Sequence, residues 1–301
     1  MAITVLDTYA GMTSVLRSDE ADRTDLLRTM LEPVAGMYRY FPGEVDLAEM
    51  HRMSFGFPVV GRDEDCLRAL EAMRDADVWS RVERALDAAI AVQVDATPGI
   101  VVPDLTVLLV LGDPGDAHFM DEVRGFSGSG SMTGYLSLTL WPTQENLDRI
   151  EAAAVHELNH NLRYAPGGVV WDPTVVTVGE QIVSEGLADA FARQLYGDAQ
   201  GFTPIGVPHL ADDEVFATVV SGLDVGGMQN FAAWVHGDAT AVRFGAPPVG
   251  LPTGAGYAAG NRLVDAYLAA TGQDAATALH ASSRAVIDVA LGRSSQDTTR
   301  A

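Results

Sequence analysis

The 301-residue sequence predicts an α+β fold with a mainly helical amino-terminal region. Three observations favour this class. Apolar residues recur at three- and four-residue spacing through much of residues 1–95, a pattern typical of amphipathic helices. Two short runs at 105–111 and 135–140 have the composition or the alternation of strands. Two later segments, at about 146–164 and 180–192, return to a helical character.

The amino-terminal helices follow from two apolar stripes. Residues 24–38 and 78–92 each carry apolar side chains on one helical face. Pro33 interrupts the first stripe, because proline lacks the N–H that a helix interior uses. A break at 96–99, which contains proline and glycine, ends the helical region.

The two strands have different patterns. Leu105–Leu111 is continuously apolar and ends at a Gly-Asp-Pro-Gly turn, so we expect a buried strand. Tyr135–Leu140 alternates polar and apolar residues, as a half-exposed strand does. The Gly/Ser-rich segment 125–134 before it predicts a flexible loop. A phosphate-binding loop is disfavoured there, because no Gly-Lys-Ser/Thr ending follows.

These breaks predict three parts of the chain. A second Pro/Gly-rich break, at 246–254, precedes a helix that should end at Gly272. The expected parts are a helical region 1–98, a second domain 99–291 and a polar, frayed tail 292–301.

The charge of the chain excludes several classes of partner. The net charge is −22, and the basic residues form no run or stripe, which argues against nucleic acid and anionic membrane surfaces. We find no signal-peptide pattern and no apolar stretch of about 18 residues, so we expect a cytoplasmic location. Cys66 is the only cysteine, and its helical context favours core packing over reactivity.

The segment His156-Glu157-Leu158-Asn159-His160 carries the clearest chemical signal. Its two imidazoles are four residues apart on a predicted helix, so they share a face and can bind one metal ion. They lie opposite the apolar stripe of that helix, which disfavours a role as core histidines. The stripe consists of Leu147, Ile150, Ala154, Leu158 and Leu162.

A catalytic metal site needs a third protein ligand, and Glu185 is the candidate. Asp189 lies four residues further on the same predicted helix, among apolar neighbours. Two adjacent carboxylates repel one another unless a positive charge lies nearby. We therefore expect Glu185 to bind the metal and Asp189 to orient a ligand histidine from behind. The alternative is a solvated acidic patch.

Two histidines and one glutamate suit Zn²⁺ better than manganese, iron or nickel. The metal would lower the pKa of a bound water, and Glu157 would act as the general base that takes the water's proton. Tyr257 is the first candidate for stabilising the oxyanion, although a packing role is equally consistent with its position. Weaker candidates are His236 and His209, and His51, His118 and His280 lack supporting context.

Three motifs resemble a bacterial family of predicted zinc-dependent proteases: His156–Arg163, Ser184–Ala190 and Ala255–Val264. The resemblance covers roughly residues 100–290. It implies a fold similar to the gluzincin metallopeptidases, in which the His-Glu-x-x-His helix packs under a sheet whose edge strand aligns the peptide. By that comparison Tyr135–Leu140 is the aligning strand. The ligands are His156, His160 and Glu185, the base is Glu157, and Asp189 lies behind the ligands.

The sequence therefore predicts a zinc-dependent metallopeptidase acting on a peptide or protein, with no nucleic-acid or membrane partner. Three alternatives stay open: a hydrolase of non-peptide amides or esters, a protease with a single protein target, and a non-catalytic binding protein stabilised by metal. Glu157 argues against the last, because a purely structural site does not need a general base. The oligomeric state is left open.

Overall fold

The computed structural model describes residues 2–41 and 43–293, and it confirms the α+β class. Backbone contacts divide the chain into two compact units. The first comprises the chain up to residue 88 together with 102–161, and the second comprises 89–101 together with the chain from 162 onward. The domain boundary predicted at residue 98 stays a prediction, because it marks a change in sequence character, whereas these units are defined by backbone contacts. Most of the predicted tail lies outside the described residues.

The first unit contains a four-stranded mixed sheet. Its strands are β1 (Ile3–Val5), β2 (Leu105–Leu111), β3 (Phe126–Ser129) and β4 (Tyr135–Leu140), in the order β1-β2-β4-β3. β1, β2 and β4 run parallel, and β3 is antiparallel to β4. Both predicted strands are found with the expected bounds, and β2 is buried as predicted. The prediction that β4 is half-exposed is wrong, because none of its residues is exposed and it pairs with a strand on each side.

Two features of the sheet differ from expectation. β1 lies in the region predicted to be helical, and its three residues are too few to show a periodic pattern. The prediction of a flexible loop over 125–134 is wrong for residues 126–129, which form β3. Glycine and serine have little intrinsic strand preference, so this strand depends on its pairing with β4.

Helices occupy the predicted segments, but the segment predicted as one helix over 146–164 is two helices that meet at Arg149, and Leu147 lies in the first of them. The helix α2 (Glu20–Leu31) ends at Leu31, and residues 32–38 continue as a 3₁₀ helix with Pro33 in its first turn. This agrees with the predicted interruption of the helix at Pro33. The helices from the amino terminus to residue 163 are α1 (Thr8–Arg17), α2 (Glu20–Leu31), α3 (Leu47–Met53), α4 (Asp63–Asp75), α5 (Val78–Ala96), α6 (Gln144–Asp148) and α7 (Ile150–Arg163). The last two residues of α7 belong to the second unit.

The second unit is built around a close pair of helices, α8 (Val178–Tyr196) and α12 (Ala255–Thr271). A Cβ on Gly186 of α8 would clash with the carbonyl of Gly260 on α12, so the two backbones approach closely where both residues are glycine. α12 ends at Gly272 in the left-handed conformation, as predicted. The helices of this part are α8 (Val178–Tyr196), α9 (Asp198–Gly201), α10 (Asp213–Ser221), α11 (Asp238–Arg243), α12 (Ala255–Thr271) and α13 (Ser283–Ala290).

The membrane and cysteine predictions can also be compared with the structure. No helix of the described residues is long and apolar enough to cross a membrane. Cys66 lies fully buried in α4, where burial and nearby carboxylates raise the pKa of its thiol to about 12. The thiol is therefore protonated at neutral pH, which agrees with the predicted packing role.

His51 provides a test of the core of the first unit. Its buried ring lies 3.0 Å from the carbonyl oxygen of Phe57, and burial lowers the pKa of the imidazole to about 4. As pH falls from about 6.5 to 4, the His51 imidazole becomes protonated in the unfolded state but stays neutral in the folded state. We predict that the free energy of unfolding of the metal-free protein falls by about 3 kcal/mol from this residue over that window.

The measurement is urea unfolding of the wild type and of His51→Gln at several pH values. The difference between the two proteins should change with pH between 6.5 and 4 and level off below. An equal pH dependence in both proteins would contradict the assignment.

Candidate metal centre

The two motif histidines lie one turn apart on α7 and approach each other closely. Their Nε2 atoms are 3.1 Å apart, and the ring planes are nearly perpendicular. Two nitrogens bound to one tetrahedral zinc at 2.0–2.1 Å are roughly 3.3 Å apart. The imidazole pair is therefore spaced as two ligands of one ion would be.

The surroundings of this pair differ from the simple amphipathic picture. Every residue from Ala154 to Arg163 is buried, so this half of α7 is a core helix and not one with a single apolar stripe. His156 and His160 lie opposite the leucines and yet are buried. Burial of both imidazoles excludes a loosely solvated pair.

Glu185 on α8 completes a possible ligand set. One nitrogen from each histidine and one carboxylate oxygen of Glu185 all lie within 4.8 Å of one another. Glu185 and Asp189 are 6 % and 1 % exposed, so the alternative of a solvated acidic patch is wrong. The three side chains could hold a metal ion, and two nitrogens with one carboxylate oxygen are a donor set of catalytic zinc sites.

Asp189 connects α8 to two other parts of the second unit. Its carboxylate accepts hydrogen bonds from the backbone N–H and the hydroxyl of Thr203, at 3.1 and 2.7 Å, and from Nδ2 of Asn261 on α12, at 2.7 Å. The carboxylate is thereby held rigidly one turn beyond Glu185. Its role in orienting a ligand histidine stays a prediction.

Glu157 lies directly beneath strand β3. A Cβ on Gly128 would clash with the Glu157 carboxylate, and a Cβ on Gly130 would clash with the Glu157 carbonyl oxygen. Glycine at 130 is required for the backbone to lie this close to α7, and a side chain at 128 would require the Glu157 carboxylate to move. Gly128 and Gly130 alternate with serine in the sequence, and this pattern predicts loop flexibility without indicating the contact.

The sheet edge beside Glu157 is formed by a different strand from the one that the resemblance implied. Tyr135–Leu140, β4, is an interior strand between β2 and β3, so its assignment as an edge strand is wrong. The edge strand is β3. The N–H of Trp141 donates to the carbonyl of Gly125, at 2.8 Å. Because hydrogen-bonded positions alternate along an antiparallel pair, the N–H and C=O of Gly128 point to the open edge.

Tyr257 and His236 lie side by side in the second unit. Tyr257 is buried in the first turn of α12, and its ring contacts the His236 ring edge-on at 5.6 Å. His236 ends a π-helical turn, 232–236, and its carbonyl accepts a hydrogen bond from the N–H of Gly254, at 2.9 Å. The structure thus brings together two candidates that the sequence treated separately. Their role in stabilising an oxyanion stays a prediction.

The other candidate histidines have different settings. His209 is half-buried in a 3₁₀ turn, and its role stays a prediction. His280 lies 3.2 Å from the Leu162 carbonyl oxygen. His51 makes the same kind of contact with the Phe57 carbonyl, at 3.0 Å, and the His118 ring stacks on that of Phe55.

A buried ion pair, missed by sequence reasoning, fastens the end of α7 to the start of α8. The wholly buried guanidinium of Arg163 donates to both oxygens of Glu180, at 2.9 and 3.0 Å, and to the carbonyls of Leu279 and Ala281. Burial is the largest single effect and lowers the pKa of Arg163, but the charge and hydrogen bonds of Glu180 and Tyr164 together raise that pKa above its usual value. Tyr164 also donates to Glu180, at 3.0 Å. Arg163 lies three residues beyond His160.

Comparison with known proteins places the chain in a family. The model of a family described as predicted Zn-dependent protease, DUF2268, matches residues 79–288. The chain belongs to this family. The resemblance drawn from the three motifs is thereby confirmed.

A curated relative extends the similarity over nearly the whole chain. The chain is 26 % identical over 279 residues to the uncharacterized protein YjfC of Bacillus subtilis (strain 168), covering 89 % of this chain and 91 % of the relative. No solved structure gives a significant match. The likeness to the gluzincin fold therefore stays a prediction.

The contact between β3 and Glu157 can be tested by stability. We predict that Gly128→Ala lowers the free energy of unfolding by about 1–3 kcal/mol, because the added methyl group would overlap the Glu157 carboxylate. Gly226→Ala is the matched control, since a Cβ there lies 3.9 Å from its nearest neighbour. Urea unfolding should show little change for the control. Equal stabilities of the two variants would contradict this placement of β3.

Proposed function

We propose that the protein is a zinc-dependent metallopeptidase that hydrolyses peptide bonds. In this proposal His156, His160 and Glu185 bind the zinc ion, and Glu157 is the general base. One observation carries the proposal: a ligand atom from each of these three metal-binding residues lies within 4.8 Å of the other two. The two histidines flank Glu157 on α7, and Glu185 lies on α8. Membership of a family of predicted Zn-dependent proteases supports it.

The proposed chemistry divides between the metal and the chain. A zinc ion held by these residues would supply Lewis acidity, which lowers the pKa of water toward about 7 and polarises a carbonyl. Glu157 accepts the proton of the attacking water at its carboxylate and passes it to the nitrogen of the leaving amine. Its burial beneath β3 keeps bulk water from competing for that proton.

Two further residues have proposed supporting roles. Asp189 orients a ligand histidine, and the hydrogen bonds from Thr203 and Asn261 support this role by fixing its carboxylate. Tyr257 donates a hydrogen bond from its hydroxyl to the oxygen that becomes negatively charged. Its position is supported from two sides, because Asn261 donates to its carbonyl and His236 packs against its ring.

The proposed substrate lies extended along β3. Gly128 offers an N–H and a C=O at the open sheet edge, directly above the proposed general base. A polypeptide pairing with this edge would use its own backbone amides, and small amides lack that repeat. This arrangement is similar to the sheet-over-helix core of the gluzincins, with β3 in place of β4 as the aligning strand.

Glu157→Gln tests the proposal. The amide keeps the shape of the side chain but cannot accept the proton, so we predict that turnover falls by roughly three orders of magnitude while bound metal is retained. Glu151→Gln is the matched control, since it removes a carboxylate from the same helix where Glu151 pairs with Arg81. The measurement is cleavage of a quenched fluorescent peptide library, together with elemental analysis.

The outcomes separate the alternatives. Unchanged turnover in Glu157→Gln would refute the mechanism. Cleavage of small amides or esters but of no peptide would identify the wild type as a non-peptide hydrolase. Bound metal without cleavage of any substrate would favour a binding protein, and cleavage of one cellular protein alone would indicate a single-target protease.

A further inference from the structure

Asn161 binds the connection between β3 and β4 through its side-chain amide. It follows His160 directly and is wholly buried. Nδ2 lies within hydrogen-bond distance of three backbone carbonyls, and Oδ1 accepts from one backbone N–H. The carbonyls belong to Gly130, Met132 and Tyr135, at 2.8, 3.0 and 2.8 Å, and the N–H belongs to Gly134, at 3.0 Å.

Other hydrogen bonds also reach this connection, among them one from the Arg39 guanidinium to the Thr133 carbonyl, at 3.4 Å. Within it, the N–H of Tyr135 donates to the carbonyl of Met132, and the carbonyl of Gly134 is used by the N–H of Thr106 on the neighbouring strand. Buried backbone groups require partners, and the primary amide of asparagine offers donors and an acceptor in one side chain. The conformation of residues 130–135 therefore depends on Asn161.

The position of Asn161 on α7 links this clamp to the proposed chemistry. Asn161 lies four residues after Glu157, so both side chains leave the same face of the helix. Gly130 meets both residues: its Cα lies against the Glu157 carbonyl, and its own carbonyl is bound by Asn161. Strand β3 is thereby fastened to α7 one turn from the point where Gly128 covers the Glu157 carboxylate.

We infer that Asn161 is a positioning residue that fixes the edge strand β3 relative to Glu157. This inference rests on the proposed function, because its consequence is for a polypeptide bound along β3. A chain paired with Gly128 has its carbonyls at a distance from Glu157 that the clamp sets. A misplacement of about 1 Å in such an arrangement can reduce the rate by a factor of roughly 100.

A second buried asparagine that contacts the β3–β4 hairpin provides a matched control. Asn146 on α6 is also buried, and its Nδ2 lies near three backbone carbonyls, those of Arg124, Gly125 and Trp141, at 2.9–3.0 Å. It fastens the open end of the β3–β4 hairpin, and it does so from a helix that carries none of the proposed catalytic residues. The two asparagines therefore do similar structural work, but only one of them adjoins Glu157.

The test compares Asn161→Ala with Asn146→Ala in the metal-loaded protein. We predict that both variants melt at lower temperature than the wild type and bind zinc with unchanged affinity, measured by competition with a chromogenic chelator. Asn161→Ala should lower kcat for peptides by about 10- to 100-fold with little change in KM. Asn146→Ala should retain kcat within a factor of about three, because it leaves the contact of β3 with Glu157 in place.

A structural readout separates this inference from the proposed function. Crystal structures should show the distance from Gly128 Cα to the Glu157 carboxylate increased by about 1 Å in Asn161→Ala and unchanged in Asn146→Ala. Asn161→Gln, which keeps the amide on a longer side chain, serves if the alanine variant does not fold. An unchanged distance in the Asn161 variant, or equal losses of kcat in both alanine variants, would overturn the inference. A wild type that cleaves no peptide would instead contradict the proposed function.

Discussion

Buried negative charge is the constraint that the side chains around α7 and α8 must satisfy. Glu157, Glu180, Glu185 and Asp189 are all buried on these two helices. An ionised carboxylate is stable in such surroundings only with an opposite charge or several hydrogen bonds. Arg163 provides the charge for Glu180, and Thr203 and Asn261 provide hydrogen bonds for Asp189. In the proposed function, a cation bound by Glu185 together with His156 and His160 would add a positive charge beside this carboxylate.

The Arg163–Glu180 pair fastens the end of α7 to the start of the next helix, α8, within the second unit. Removing one partner would leave an uncompensated buried charge, which is strongly destabilising. The pair therefore permits few alternative positions of the end of α7 against the start of α8.

Much of this organisation follows from local sequence patterns. Helical spacing predicts the existence of α5, α7, α8 and α12, and the apolar run predicts β2. The spacing of His156, His160 and Glu185 predicts a ligand set, because residues four apart share a helix face and a third ligand is needed. The helix and strand predictions are confirmed because each uses a pattern contained within a single element, whereas the ligand set joins two helices and stays a proposal.

The features that sequence reasoning missed all depend on contacts between distant residues. β3 is a strand because β4 pairs with it, and strand order alone decides that β3 and not β4 is the edge. The roles of Asn161 and Arg163 require knowing which backbone groups surround them. Glycine at 128 indicates a close approach only once the Glu157 carboxylate is known to lie beneath it.

The proposed function requires that the imidazoles of His156 and His160 and the carboxylate of Glu185 bind one cation. The most direct measurement is the metal content of the purified wild type and of His160→Ala, with His209→Ala as the control histidine outside the ligand set. We predict about one metal ion per chain in the wild type and the control, and its loss in His160→Ala. Absence of metal from the wild type, or full retention in His160→Ala, would contradict the account.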